Sequence, residues 1–561
     1  MTGAPGMESE GPRALAVERA LRAAARAGNR LLAGGIVELD VSDARSREAL
    51  EAALARAGAR SAEDAGRQGE FVFADRSDLP PRAAGTGEPG ASAVPAVRVG
   101  LDGSVASERG ADAASRIDWA ARGMPVTARL AERLQTACAE RSGGAPRIAV
   151  SLVLEPKTAA LVLALARAGC EVAVFGAVSE TDPEVAKALA ADGRIAVFAP
   201  DERTPEAEAD PAAVDRAHAA GILAWSPEYL IDDGAHLIRL AHTECPEALG
   251  SLRGAAEETT SGVRPLREMA AEGALQLPVI VVNDARTKTG FDNLVGTGQS
   301  CVFAIAELLD AAGWGGPGGE SGNAGGGYRG VAGSRWAVVG YGPVGAGTAR
   351  FAAALGARVT VVERDPVRAL AALHDGFEAR PLREALPDAD VVVSATGVWH
   401  TLDAAAFELM RPGTAVAVAG GIDGELGLDQ LRRDGWSRVS RAPGVSEWTA
   451  PGAARGPWVL ADGEGVNYTA AEGNPIEVMD LSFATQIAAL LRLLHGALPP
   501  GVHALPEADE RLVAREALAA RGGGAEPGGG ADRPGGAAQP WDVHRYRGRF
   551  GDEPEGPTID G

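Results

Sequence analysis

Cysteine is scarce in this chain: four residues in 561 (Cys138, Cys170, Cys245 and Cys301), widely scattered and with no CxxC pair. That excludes a disulfide framework and a zinc site, so no metal is expected, and it suits a reducing cytoplasm. A basic excess is missing too. At a formal net charge of −22 the chain has little with which to displace counterions from a polyanion, which argues against nucleic acid and anionic membrane surfaces as partners. No apolar run approaches the ~18 residues of a membrane helix, and the opening MTGAPGMESEGPR lacks a basic stretch followed by an apolar core. The expectation is a soluble, cytoplasmic protein acting on a small molecule.

What is present is enough chain for several cores, since domains run to roughly 100–200 residues. Residues 1–115 read as a separate extension, with a helix over Ala14 to Leu32, a strand over Ile36 to Val41, a helix over Ser46 to Ala57 and a short strand over Phe71 to Phe73. A Pro- and Gly-rich linker follows at 78–95. No function attaches to this region; the favoured reading is an accessory or oligomerisation module. From Ile117 the pattern changes to alternating strands and helices: RIAVSLVLEP, then a helix over Lys157 to Ala168, then strands at Glu171 to Phe175, Ile195 to Phe198, Tyr229 to Ile231 and Val279 to Val282. That alternation implies a parallel α/β sheet.

The most chemical stretch is VIVVNDARTKTGFDNLVGTGQS, beginning at Val279. A β-branched run ends in Asn283 and Asp284, and Lys288, Asp292 and Asn293 follow. Alone, Lys288 and Asp292 are a solvated helix pair worth a few tenths of a kcal/mol. Gly290 and Gly296 weaken such a helix, and the better reading is a strand end opening into an irregular loop, where α/β proteins place their chemistry. Further on, RWAVVGYGPVGAGTARFAAALGARVTVVERDP holds strand, glycine loop and helix (Gly340, Gly342, Pro343, Val344, Gly345), then a second strand ending at Glu363. The glycines let backbone approach a pyrophosphate at the helix N-terminus, and an acid about twenty positions on grips the ribose hydroxyls of NAD. Later strands run into Thr396-Gly397 and Gly420-Gly421, and Asn467 falls in a loop before a long apolar helix that docks back on the first α/β domain.

The expected fold is therefore α/β: a Rossmann NAD-binding domain (299–474, with a Gly-rich insertion at 314–333) inserted in a discontinuous parallel-sheet substrate domain (116–298 and 475–520), an N-terminal α/β extension, and a flexible C-terminal arm (521–561).

With DDG at Asp232, EETTSGV at Glu257, VNDARTKTGFDNLVG at Val282, GYGPVGAG at Gly340, ATG at Ala395, GVNYTAAEGNP at Gly465 and PPGVHALPEADE at Pro499 in this order, the chain resembles the S-adenosyl-L-homocysteine hydrolase family from about Ile117 to about Leu518. The resemblance implies a tightly held NAD that oxidises the ribose 3′-hydroxyl, acidifying the C4′ proton. Loss of a 5′-thiol, addition of water and return of the hydride follow. It implies that Lys288, Asp292 and Asn293 surround the 3′-hydroxyl, with Lys288 assisting its deprotonation. Asp233 and Glu258 contact the ribose or move protons, and Thr259, Thr260 and Ser261 bind NAD with Glu363, Thr396 and Asn467. Gly397 and Gly420 are expected against the cofactor, and Glu155, Thr297 and Asn474 against the substrate. A homo-oligomer, tetramer or dimer, is the family's assembly. Physically, a lysine with its pKa lowered by burial, or a carboxylate, can serve as the base for an alcohol.

The departures sort with the leaving group. Where the family has histidines, this chain has Val153, Gly421 and Asn474; a family cysteine is Thr297, a family asparagine is Arg368, and the C-terminal Lys and Tyr arm has only Arg545 and Tyr546 for a counterpart. His236 stands where the family has a carboxylate. General acid–base help is worth roughly 10²–10⁴-fold, so ordinary hydrolysis should suffer. Three outcomes stay open: hydrolysis of adenosylhomocysteine or a related nucleoside thioether, dehydration or C4′ epimerisation by the same 3′-keto chemistry, and a catalytically silent NAD-binding subunit.

Overall fold

The computed structural model describes residues 10–78, 95–200, 210–318, 327–420, 424–496 and 498–524, arranged around three β-sheets. Most of the 78–95 linker, part of the Gly-rich insertion, Gly421, Arg545 and Tyr546 lie outside the described residues.

The N-terminal sheet has five strands in the order Arg60–Ser61, Ile36–Asp40, Phe71–Ala74, Val97–Gly100 and Val105–Ala106. All pair in parallel except the last. Helix Glu10–Gly28 stops four residues short of the expected Leu32, because Asn29 turns at φ +49°. Leu31 and Leu32 are then buried. The strand Val97–Gly100, beyond the linker, was not legible in the sequence; Arg98 and Gly100 interrupt its apolar run. Two helices, Ala113–Arg122 and Pro125–Glu140, also precede the first strand of the next sheet. The change of pattern at Ile117 is thus a change to helix before strand.

The second sheet is wholly parallel, ordered Gly501–His503, Pro278–Val281, Gly254–Glu257, Tyr229–Asp232, Arg147–Ser151, Glu171–Phe175 and Ile195–Phe198. The chain winds outward from Arg147–Ser151 in one direction, then restarts beside it at Tyr229–Asp232. That reversal leaves a crevice beyond the strands' carboxyl ends, flanked by Val153 to Glu155 on one side and Asp233 on the other. The third sheet has eight strands, six of them parallel, with Arg335–Val339 beside Val391–Ser394 at its own reversal. Because Gly501–His503 rejoins the second sheet, the third sheet is built from chain that leaves the second and returns to it.

Two helices carry the chain across. Helix Ile476–His495 is apolar over most of its surface and packs on Pro125–Glu140, where the Asp480 carboxylate accepts N–H bonds from Val126 (3.1 Å) and Thr127 (2.7 Å). Burial pushes Asp480 up to about 6 against those bonds. The helical run Arg286–Ala311 is long and apolar enough to cross a membrane by length and composition alone, which sequence reading did not anticipate; most of it is buried inside the protein.

Helix Thr297–Ala311 crosses helix Pro343–Ala354 backbone against backbone. A Cβ on Gly347 would stand 1.7 Å from the Leu294 carbonyl oxygen, and one on Gly298 2.6 Å from the Gly347 carbonyl. Gly347→Ala must push the helices apart and should cost about 1–3 kcal/mol or more. Thermal denaturation should show a lowered Tm, with Gly250→Ala, where an added methyl meets nothing within 4 Å, as the neutral control. Equal Tm values for the two variants would show that the crossing is not tight.

Candidate active site

The strand Pro278–Val281 is all apolar and fully inside the sheet, so the polar residues can begin only at its end. There the chain takes three successive helical turns rather than the irregular loop expected from Gly290 and Gly296: Val282–Asp284, Arg286–Thr289, and a wide π turn at Asp292–Gly296. The glycines loosen the helix without opening it, because buried backbone groups must still find partners and do so within these turns. The turns put Lys288, Asp292 and Asn293 in one buried cluster. Lys288 Nζ lies 2.9 Å from Asp292 Oδ2, donates to Asn293 Oδ1 at 2.8 Å, and lies 3.6 Å from Glu258 Oε1. The pair is not a solvated one: Lys288 is 3% exposed and Asp292 and Glu258 are 5% exposed.

This corrects one expectation. Burial alone favours the neutral amine, but Asp292 and Glu258 together outweigh it and hold Lys288 above an ordinary lysine's range. The shift runs opposite to the lowering by burial expected from the sequence and favours the charged amine. The proton-accepting capacity sits on carboxylates. Burial raises Glu258 above the usual range despite Lys288 nearby, and both of its oxygens are engaged, by Ser482 Oγ and Gln486 Nε2. Asp233, half-buried at the crevice, is also raised by burial, with His236, Thr259 and Lys288 pulling the other way. Its neighbour Glu257 is pushed well up by burial and by Asp232 and Asp233, and it accepts N–H bonds from Gly234 (3.1 Å), Ala235 (2.9 Å) and Thr259 (3.0 Å). His236 is exposed at the start of a helix.

Asn474 and Thr297, expected against the substrate, both hydrogen-bond Asp292. Asn474 is 4% exposed; its Nδ2 donates to Asp292 Oδ1 at 2.6 Å and to Thr297 Oγ1 at 2.8 Å. Its Oδ1 accepts from Ser300 Oγ at 2.7 Å and from Asn467 Nδ2 at 3.4 Å. No donor is left for a ligand. Thr297 Oγ1 in turn donates to the Asp292 carbonyl at 3.1 Å. Asn467, buried on a short helix rather than in a loop, accepts from Gly420 N at 3.1 Å. Asp292, Asn474, Thr297, Asn467 and Gly420 are thus one connected network.

The glycine loop has the shape a pyrophosphate requires. Gly340 takes φ +97°, a Cβ on Gly345 would stand 2.0 Å from the Gly340 carbonyl, and the space beside Gly342 holds only Arg368 Nη1 at 3.7 Å. Helix Pro343–Ala354 starts there with unpaired N–H groups facing that space. Glu363, at the end of the next strand, accepts from Tyr341 N (2.7 Å), Arg364 N (2.8 Å) and Asp365 N (2.9 Å). The exposed Gly397 and the Thr396 hydroxyl stand on a loop held by the buried Glu425. Thr260 Oγ1 donates to Asn283 Oδ1 at 3.0 Å, and Thr259 and Ser261 hydroxyls lie 3.1 Å apart. Glu155 lies apart from Lys288, bound to the buried Lys157 at 2.8 Å and raised by burial.

Sequence reasoning missed Glu425, Glu257, Lys157, Ser482 and Gln486. For Ser482 and Gln486 a signal existed: polar residues four apart inside an otherwise apolar helix. The others sit beside residues that were singled out.

Residues 329–473 match the family model described as S-adenosyl-L-homocysteine hydrolase, NAD binding domain. Over 403 residues the chain is 36% identical to the adenosylhomocysteinase of Thermotoga maritima, covering 71% of this chain and 92% of that one. It is 37% identical over 402 residues to the S-inosyl-L-homocysteine hydrolase of Methanopyrus kandleri, covering 71% and 88%. Among solved structures, a dipicolinate synthase chain from Bacillus halodurans is 14% identical at a TM-score of 0.35, covering 63% of this chain and 99% of that one, too slight a likeness to carry an argument.

The Asn474 contact is testable through its charge. Asn474→Asp would set a second carboxylate where 2.6 Å now separates an amide from Asp292. Two such groups cannot both ionise, so the pair holds a proton up to a raised pKa. The protonated form restores the donor. Activity of the variant should therefore be greatest below that pKa and fall as pH rises through it, with a loss of roughly tenfold or more at neutral pH. A variant with the native pH–rate profile would remove Asn474 from the support of Asp292.

Proposed function

We propose that this chain, which belongs to the adenosylhomocysteinase family and is an NAD-dependent enzyme of the hydrolase type, transiently oxidises the 3′-carbon of a nucleoside ribose and exchanges the group on C5′. The observation that carries this reading is the buried Lys288–Asp292–Glu258–Asn293 cluster, joined through Asn474 to Asn467 and Gly420 of the cofactor-binding segment. The Gly340–Gly345 loop and Glu363 would hold NAD, which would supply reversible hydride-transfer chemistry beside the ribose.

The chain's own residues handle position and protons. The Lys288 ammonium and the Asn293 amide hold the 3′-oxygen, and the fixed positive charge stabilises negative charge developing there. Asp233 takes the C4′ proton: it is the half-buried carboxylate at the crevice, and its side chain has the Thr259 hydroxyl for a partner, whereas both Glu258 oxygens are already engaged. Glu155, kept protonated more readily by burial, is the proton donor beside Val153 for the leaving group. The substrate class is a nucleoside thioether of the S-adenosyl- or S-inosyl-homocysteine type.

One observation favours a second reading. Val153 and Asn474 carry no titratable group where the family has imidazoles, which weakens thiol departure more than oxidation. A dehydratase or epimerase using the same 3′-keto chemistry would need no thiol to leave.

The test is incubation of the purified protein, assayed for co-purifying NAD, with adenosylhomocysteine, inosylhomocysteine and the free nucleosides in D₂O. C4′ deuterium uptake with thiol release is expected; uptake without release would select the second reading. No uptake from any nucleoside would remove both. In addition, kcat/KM should fall on acidification through a pKa above an ordinary aspartate's, since Asp233 is raised, and no alkaline limb should come from Lys288 within the ordinary lysine range. Asp233→Asn should slow C4′ exchange by roughly 10²–10⁴-fold while retaining NAD; an undiminished rate would remove Asp233 as the base.

A further inference from the structure

We infer that Cys138 and Cys170 are an oxidation site, closing a reversible disulfide within the chain when the protein meets a peroxide, with Cys138 as the attacking thiol. The two stand 32 positions apart in the sequence, and the fold sets their sulfurs 3.7 Å from each other. Two elements bring this about. Helix Pro125–Glu140 carries Cys138 in its last turn. Helix Pro156–Arg167 ends at a turn where Gly169 takes φ +90°, and the chain passes through Cys170 straight into strand Glu171–Phe175. Few side chains adopt that φ, so the glycine fixes where Cys170 enters the strand. The same turn lies against the first helix: a Cβ on Gly169 would stand 3.8 Å from the Cys138 Cβ. Closure to a bond of about 2 Å asks only for modest rotation about χ1 at each cysteine.

The pair is asymmetric. Cys138 is partly exposed, on a helix end where Gln135, Ala139 and Glu140 face solvent, whereas Cys170 is 8% exposed. A small oxidant therefore meets Cys138 first. The Cys170 S–H and the Arg141 cation pull the Cys138 thiol below its ordinary range against burial, while the bond to Cys138, and then burial, push Cys170 up. The Cys138 thiolate attacks one oxygen of hydrogen peroxide and breaks the O–O bond. A sulfenic acid forms, and the departing hydroxide takes up the proton the thiol has lost to become water. Cys170 sulfur then attacks the sulfenic sulfur, and its proton leaves with the displaced hydroxyl as a second water. The two thiols give up two electrons and the peroxide accepts them. Cys245 and Cys301, 8% and 0% exposed, are free and supply an internal control. Cys170 precedes its strand, so the pair lies at the amino end of the second sheet, away from the crevice beyond the carboxyl ends. Helix Pro125–Glu140 is held at its first turn by Asp480; the disulfide would hold its last. Nothing in this depends on the nucleoside reading.

The experiment uses the full chain, reduced and freed of reductant, treated with a small excess of hydrogen peroxide and then alkylated in denaturant. Free thiols should fall from four to two. A proteolytic map made without reductant should show the Cys138 and Cys170 peptides joined, at a mass two hydrogens below their sum, and a dithiol should restore every thiol. In Cys170→Ala a dimedone probe should label Cys138 as its sulfenic acid; in Cys138→Ser, Cys170 should keep its thiol. The map is read on the native chain and needs neither variant to fold. A chain that keeps all its thiols, a disulfide between chains, or loss of the Cys138 thiol without the joined peptide would overturn the inference. Dimedone labelling of Cys170 in Cys138→Ser, with Cys138 unlabelled in Cys170→Ala, would overturn the order of attack.

Discussion

A lysine ammonium taken out of water is the constraint on which this structure depends. Lys288 is 3% exposed, and its charge is tolerable only because Asp292, Glu258 and Asn293 close around it. Those acceptors bring obligations of their own. Asp292 needs the Asn474 amide, and Glu258 needs Ser482 and Gln486 from helix Ile476–His495. One arrangement of strand end, π turn and returning helix gives Lys288, Asp292 and Glu258 their partners. Removing one member leaves a buried charge uncompensated, which typically costs about 3–5 kcal/mol. The chemistry and the joining of two sheets thus rest on the same few contacts.

The same constraint divides the catalytic labour. With its carboxylates holding Lys288 above the ordinary lysine range, the proposed reaction uses the lysine to stabilise charge and leaves proton acceptance to acids that burial has raised. Where the family resemblance places histidines, Val153 is apolar and Asn474 is a neutral amide already committed to Asp292. Asn474 contacts Thr297, itself a departure from the family pattern, at 2.8 Å. Two departures that looked independent in the sequence are one hydrogen bond in the fold. The substitutions preserve the support of Asp292 and remove an imidazole from it.

Much of the architecture was legible because its signals are local. Val391 to Ser394 and Ala415 to Val418 are short β-branched runs bounded by glycine, and they form strands with the expected residues. The Gly340–Gly345 loop could be read because strand, glycine spacing, helix and Glu363 must occur together for a dinucleotide. The strand Val97–Gly100 was lost because Arg98 and Gly100 interrupt its apolar run, leaving two valines just after a proline at the end of the linker. The turns from Val282 to Gly296 were misread because glycine signals loss of helix locally, whereas burial there demands that backbone groups stay paired. Asn467 was placed in a loop for the same reason.

For the site, residue identity was written in the chain and residue state was not. The sequence determined that Lys288, Asp292, Asn293, Asp233 and Glu258 exist at strand ends of an α/β fold, since spacing and hydrophobic pattern are properties of neighbouring residues. The protonation of Lys288 depends on carboxylates 30 positions upstream as well as four downstream, and the role of Asn474 on a contact spanning 182 positions. The Arg109–Glu472 contact, which ties the N-terminal region to the chain beyond the third sheet, joins residues 363 positions apart. Charge interactions act through space and through burial, and only the tertiary structure decides which groups are close and dry enough for them to matter.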